Sequence, residues 1–251
     1  MYLDPLSISE APSQIVCYPR PSEEERAARV EEMRCLGVEN LVLKGAKAID
    51  GYKILGKGCV SVAVLAKTSS GKAVLKIRRM DANRKDMSHE VEMLGFANRF
   101  GIGPKLLAHS KNLLLLEYVD GLMLADWLHK AQESDLERVR STLRMLLTQC
   151  YTLDRIYLDH GELSNASKHV IIRKSDWRPS IIDFESASKK RHVKNLTSIC
   201  QFLFMTITSL DIFRIWKTEI STEDLKRRLR EYKAQPSEEE FRQALTVCGL
   251  E

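Results

Sequence analysis

A two-lobed α+β fold is predicted for this chain: a strand-rich first lobe with one main helix, then a reduced, mostly helical second lobe. Three observations predict it. Between Asn40 and Ile77, short β-branched and apolar runs alternate with glycines, which is the texture of a strand meander. From Asp81 to Phe100 the pattern reads as a helix, with Val91, Leu94 and Phe96 on a partial apolar face and Gly101 as its stop. Strand-like runs return at Lys105–Leu107 and Leu113–Leu116, and beyond Gly121 the pattern is helical except around Leu158–Glu185.

The chain divides at these changes of texture. Residues 1–50 form an N-terminal extension whose helix, 22–36, is expected to pack on the first lobe; 51–118 form that lobe, and 119–251 the second. Ser22-Glu-Glu-Glu25 reads as a capping box, in which the serine hydroxyl and the third-position glutamate each satisfy a free backbone N–H. The same string at Pro236–Glu240 marks a second helix start, and nothing else repeats. Ile199, Phe202, Leu203, Thr206 and Ile207 have the spacing of a buried central helix.

Length and composition exclude several classes. At 251 residues the chain buries a core without staples, and its six cysteines stand singly, with no Cys-x-x-Cys pair, so they read as free thiols of a reducing compartment. The start lacks a basic segment followed by an apolar run, and the longest apolar stretch, Ile199–Ile207, is about half a membrane span. A cytoplasmic protein with no membrane partner is expected. The net charge of +5 gathers in Lys189-Lys190-Arg191, Lys194 and Lys226–Arg230, ordinarily a solvated face and otherwise a nucleic-acid contact.

Chemistry concentrates in four places. Leu55-Gly56-Lys57-Gly58-Cys59-Val60-Ser61-Val62 is a glycine-bearing hairpin between strands. Its backbone N–H groups can approach phosphate oxygens, although an ordinary hairpin is the default for such a run. In Ala73-Val74-Leu75-Lys76-Ile77 a lysine interrupts an apolar strand, which requires either an acidic or phosphate partner or an edge strand with the ammonium in water. Glu90 is the carboxylate candidate because it stacks one turn from Leu94 on the following helix, with Glu92 on another side. Beyond these come Asp159-His160-Gly161-Glu162-Leu163-Ser164 and Ile181-Ile182-Asp183-Phe184.

In this order, together with the strand ending Leu116-Glu117-Tyr118-Val119-Asp120-Gly121, the motifs resemble the protein-kinase superfamily from about Tyr52 to Phe204. The His-Gly wording and short tail are most similar to RIO-type and related small atypical kinases, or to the aminoglycoside phosphotransferases. The resemblance implies a protein-kinase-like fold that binds ATP and Mg2+ and transfers the γ-phosphoryl group to a protein Ser/Thr hydroxyl or to itself. It implies that Gly56 and Gly58 cover the phosphates, with Ser61 where a third glycine commonly stands. Lys76 would hold the α- and β-phosphates and pair with Glu90. Leu116 would line the adenine pocket, Glu117 and Val119 would offer backbone groups to the adenine edge, and Asp183 would bind magnesium. A RIO-like chemistry with basic patches would also suit contact with ribonucleoprotein.

The catalytic loop departs from the family pattern. Glu162 stands where an aspartate orients and deprotonates the attacking hydroxyl, and its extra methylene moves the carboxylate by more than about an ångström, a shift that can cost ~100-fold in rate. The metal-binding asparagine of the family falls at Ser167, with Asn165 and Lys168 nearby, so one magnesium ligand is either supplied by Asn165 or weakened. His169 reads as a satisfied histidine at the head of the strand Val170–Ile172. After Glu185 only Ser186–Lys194 precedes the next helix, too short to dock a peptide in the usual way. A nucleotide-binding pseudokinase and a small-molecule phosphotransferase are the rival readings.

Overall fold

The computed structural model describes residues 5–206, 208–216 and 220–251. Ile207 lies outside them. The chain forms two compact units, one running to Asn98 and including Pro104–Tyr118, the other Arg99–Gly103 with Val119–Glu251.

The first unit holds strands β1 (Leu6–Ser7), β2 (Val38–Val42), β3 (Lys47–Ile49), β4 (Tyr52–Ile54), β5 (Gly56–Lys57), β6 (Ser61–Thr68), β7 (Gly71–Arg78), β8 (Leu106–His109) and β9 (Leu113–Glu117). Its helices are α1 (Ser13–Val16), α2 (Glu23–Cys35) and α3 (Ser88–Asn98). The main sheet runs β1-β2-β6-β7-β9-β8, with β5 paired to β6, while β3 and β4 make a separate hairpin. Strand β7 is therefore central. Lys76 faces Ala63 on one side and Leu114 on the other, which removes the edge-strand reading of that lysine. Because side chains alternate across a strand, Ala73, Leu75 and Ile77 pack into a core with Val30 and Met33 of α2 and Ile15 and Val16 of α1. Lys76 points to the other face, where α3 lies.

Ser22 caps α2 by accepting from the N–H of Glu25, but the reciprocal half of the expected box is absent. Glu25 instead accepts from Nε of Arg29 at 2.8 Å, because a buried guanidinium is a stronger partner than a terminal N–H. Arg29 is fully buried and also donates to the carbonyls of Val16 at 2.7 Å and Arg78 at 2.5 Å, tying α1 and the end of β7 to α2. Helix α3 starts at Ser88 rather than Asp81. The carboxylate of Asp86 takes the N–H and hydroxyl of Ser88, and that of Asp81 pairs with Arg79, so these aspartates are used locally instead of in a helix. The buried stripe of α3 is Glu90, Met93, Leu94 and Ala97, an i, i+3, i+4, i+7 set, while Val91 and Phe96 are only half-buried.

Glu32 joins α2 to the β8–β9 turn by accepting from Asn112 N at 3.0 Å and Nδ2 at 2.6 Å and from the Ser110 hydroxyl. Burial pushes its carboxyl up, but the hydrogen bonds from Ser110 and Asn112 outweigh that and hold it below the ordinary value of 4.5. A depressed folded pKa contributes stability above the unfolded value and loses it as pH falls through the folded one. The urea midpoint should therefore fall below pH 4.5, and Glu32→Gln should flatten that part of the pH profile.

The second unit begins with β10 (Gly121–Met123) and continues with α4 (Leu124–Lys130), α5 (Leu136–Arg155), β11 (Val170–Arg173), β12 (Pro179–Ile181), α6 (Asn195–Phe204), α7 (Thr208–Trp216), α8 (Thr222–Ala234) and α9 (Glu238–Val247). Strands β10, β11 and β12 form a small antiparallel sheet. Gly121 is required there, since a Cβ would overlap the carbonyl oxygen of Ile172. Ser237 caps α9 through Glu240 N. Ile199, Phe202 and Leu203 are buried, whereas Thr206 lies beyond the end of α6 and is exposed, its hydroxyl spent on the Phe202 carbonyl. All six cysteines are free thiols, and among the described residues no single helix is long and apolar enough to cross a membrane.

Candidate functional site

In the first unit, Lys76 Nζ lies 2.5 Å from Glu90 Oε1. Lys76 is 8 % exposed and Glu90 3 %, so the two charges are buried together between β7 and α3. A buried ammonium needs such a counter-charge, because desolvation without one costs several kcal/mol (about) per ion.

The glycine hairpin is built on β5 and β6, with Gly56 opposite Ala63 and Gly58 N donating to Ser61 O at 2.9 Å. Neither Gly56 nor Gly58 has left-handed backbone, and a Cβ on Gly56 would meet only the Ala63 methyl at an ordinary 3.8 Å. The fold itself therefore does not demand glycine at position 56. The N–H of Gly58 is used within the turn, and its carbonyl accepts from Arg79 at 2.8 Å. Ser61 is buried at the start of β6. Leu116 is buried on β9, and Glu117 closes the strand with its N–H on the Lys105 carbonyl at 2.9 Å and its Oε2 taking Lys105 N at 3.1 Å. Of the main-chain groups of Glu117, the N–H is thus already committed.

In the second unit, Val119 is buried just before β10. The loop after α5 is organised by Asp154, which takes Asn195 N at 2.9 Å, Asn195 Nδ2 at 2.8 Å, Leu196 N at 3.1 Å and the Tyr232 hydroxyl at 2.9 Å. Burial pushes the Asp154 carboxyl up despite these donors. Asn195 in turn gives Nδ2 to Leu158 O and accepts from His160 N, both at 2.8 Å. The His160 ring is fully buried, edge-on to Phe184 at 4.9 Å, with Nε2 3.1 Å from the Ile182 carbonyl and Nδ1 3.4 Å from Glu162 N. A neutral ring protonated on Nε2 satisfies both contacts. It connects the main chain beside Glu162 to the main chain beside Asp183.

Glu162 is half-buried and heads the turn Leu163–Lys168, where its carbonyl accepts from Asn165 N at 2.9 Å. The Ser167 hydroxyl donates to Asn165 Oδ1 at 2.7 Å, so the two residues proposed to share one role are joined to each other. Asp183 sits in left-handed backbone (φ 70°, ψ 73°) at the head of a short turn, Phe184–Ser186, and its Oδ2 is 4.0 Å from Nδ1 of His169. Carboxylate oxygens of Asp183 and Glu185 lie within 4.8 Å of one another, hard donors of the type Mg2+ takes. Glu185 was not among the sequence-derived metal ligands; its signal was a second acid two residues after Asp183.

Across solved structures, the chain matches the Rio2 kinase of Chaetomium thermophilum, crystallised as an ADP/Mg2+-phosphoaspartate complex, over 90 % of this chain and 75 % of that one, at a TM-score of 0.51 and 17 % identity. The chain has a RIO-like, protein-kinase-like fold. The kinase-like fold is carried with little sequence likeness: no protein-family model and no curated protein matches the chain. Helices α1 and α2 pack on one face of the main sheet, opposite the face that bears Lys76.

Proposed function

We propose that the chain is an ATP- and Mg2+-dependent phosphotransferase of atypical kinase type, moving a γ-phosphoryl group to a Ser or Thr hydroxyl of a protein or of itself. The observation that carries the reading is the buried Lys76–Glu90 pair on a central strand, next to a hairpin with a glycine its backbone does not require. Glu90 fixes the ammonium, so Lys76 presents a preset cation for two phosphate oxygens at no further ordering cost. Gly56 leaves the hairpin surface without a Cβ and open to a polyphosphate. Magnesium, when bound, would neutralise developing charge on the phosphates; Asp183 and Glu185 are the oxygen ligands suited to hold it. Glu162 would accept the proton of the attacking hydroxyl, its main chain fixed through His160.

The Ser167–Asn165 hydrogen bond favours a second reading. If Asn165 Oδ1 stays committed to Ser167, one metal ligand is lost and the chain is a nucleotide-responsive pseudokinase. Transfer of labelled phosphate separates the two, with Lys76→Met, Asp183→Asn and Glu162→Gln as controls. Signal in wild type lost in all three variants supports transfer, and equal signal in all four refutes it. ATP-dependent thermal stabilisation without transfer supports the pseudokinase.

Gly56→Ala offers a cleaner test of nucleotide contact. Because its Cβ finds ordinary space, the melting temperature should move by no more than about 2 °C, while the affinity for ATP should fall about tenfold, read by titration calorimetry.

A further inference from the structure

We infer that the segment Ser186–Lys194 is an acceptor-docking surface for acidic peptide, an inference that rests on the phosphotransferase reading above. The segment is short, but it is held. Ser188 exchanges two main-chain hydrogen bonds with Asp159, at 3.0 and 2.8 Å. Arg191 gives Nε to Asp159 Oδ2 at 2.9 Å and Nη2 to the Ser186 carbonyl at 2.5 Å. The carboxylate of Asp159 is 1 % exposed, so it is a buried anchor and Arg191 is a staple whose charge is already spent. Gly161 completes the join: its backbone is left-handed (φ 89°), and a Cβ there would overlap Nη2 of Arg191.

With Arg191 so used, Lys190 and Lys194 remain exposed with no ion pair among the described residues, and the segment contains no acid. Lys168, at the end of the turn that Glu162 heads, is likewise exposed and unpaired among the described residues. Lys190 stands two residues from Ser188, Glu162 three from Asp159, and the Ser188–Asp159 bridge adds about 5 Å, so at most about 22 Å, about six or seven residues of extended peptide, separates the main chain of Lys190 from that of Glu162. A chain crossing that distance delivers its hydroxyl to Glu162 while its acidic side chains meet the lysines. The partner is argued to be peptide because the surface leads to Glu162, which in the reading above takes the proton of a Ser or Thr hydroxyl; for single-stranded RNA the segment offers only His192 as a stacking ring, its Nδ1 2.9 Å from the Val193 carbonyl.

The test is fluorescence anisotropy of the full chain with a labelled Asp-Asp-Ser-Asp-Asp peptide and its Asn-Asn-Ser-Asn-Asn counterpart, at two salt concentrations, beside a Lys190→Glu, Lys194→Glu double variant. The acidic peptide should bind about tenfold more tightly than the neutral one, lose that margin in high salt, and lose it in the double variant. Equal affinity for the two peptides, an unaffected double variant, or a labelled single-stranded RNA that binds more tightly than the acidic peptide through the same lysines overturns the proposal. Labelled-phosphate transfer to both peptides, measured in parallel, separates the two failures. Charge-selective binding without transfer keeps the docking surface and sinks the phosphotransferase reading, whereas transfer without charge preference does the reverse.

Discussion

Replacing Lys76 by Met should cost about 3–5 kcal/mol of folding stability even without nucleotide, the penalty for stranding the other half of a buried ion pair. Glu90 is 3 % exposed and has its Oε1 2.5 Å from the ammonium, so the methionine takes the counter-charge away from a buried carboxylate beside a central strand. A surface pair would behave differently, with a loss below about 1 kcal/mol. The double variant Lys76→Met, Glu90→Gln should recover most of the loss, because the uncompensated charge is then gone, and a double-mutant cycle by urea denaturation reads the coupling. Recovery of stability must not bring back nucleotide binding. In wild type, saturating ATP at about 100 times its Kd should add about 2.7 kcal/mol, and neither the single nor the double variant should show that increment. A Lys76→Met protein as stable as wild type would mean that the pair is not buried in solution.

The lysine in an apolar run was legible as a residue needing a partner; whether its strand was central or an edge was not. That depends on β7 pairing with β6 and with β9, and the second pairing brings together residues some forty apart, such as Lys76 and Leu114, which no local pattern encodes. The helix bearing Glu90 was legible in type and read seven residues too early, since Asp86 and Ser88 bond locally instead of extending it. Arg29 was not legible at all. In Glu-Arg-Ala-Ala-Arg-Val it looks like part of a solvated face, and its burial depends on carbonyls 13 and 49 residues away. The anchoring carboxylate of the second unit did leave a trace. Leu146, Leu147, Cys150 and Leu153 set an apolar stripe on α5, and Asp154 continues it where another apolar residue would be expected.

That anchor supplies the second large effect. Asp154→Ala should cost about 4 kcal/mol, because two main-chain N–H groups, the Asn195 amide and the Tyr232 hydroxyl lose their acceptor in a buried place. Tyr232→Phe removes one donor and leaves the other three paired, so it should cost only about 1–2 kcal/mol. The consequence reaches the loop through one side chain: Asn195 Oδ1 holds the His160 N–H, and His160 holds the main chain of Glu162. Amide exchange at His160 should therefore speed up in Asp154→Ala at a denaturant concentration where the protein is still folded, while amides in β7 keep wild-type protection. Uniform acceleration across both units would make Asp154 a global stability residue; acceleration confined to 158–162 and α6 makes it the positioning residue that keeps Glu162 where a hydroxyl could meet it.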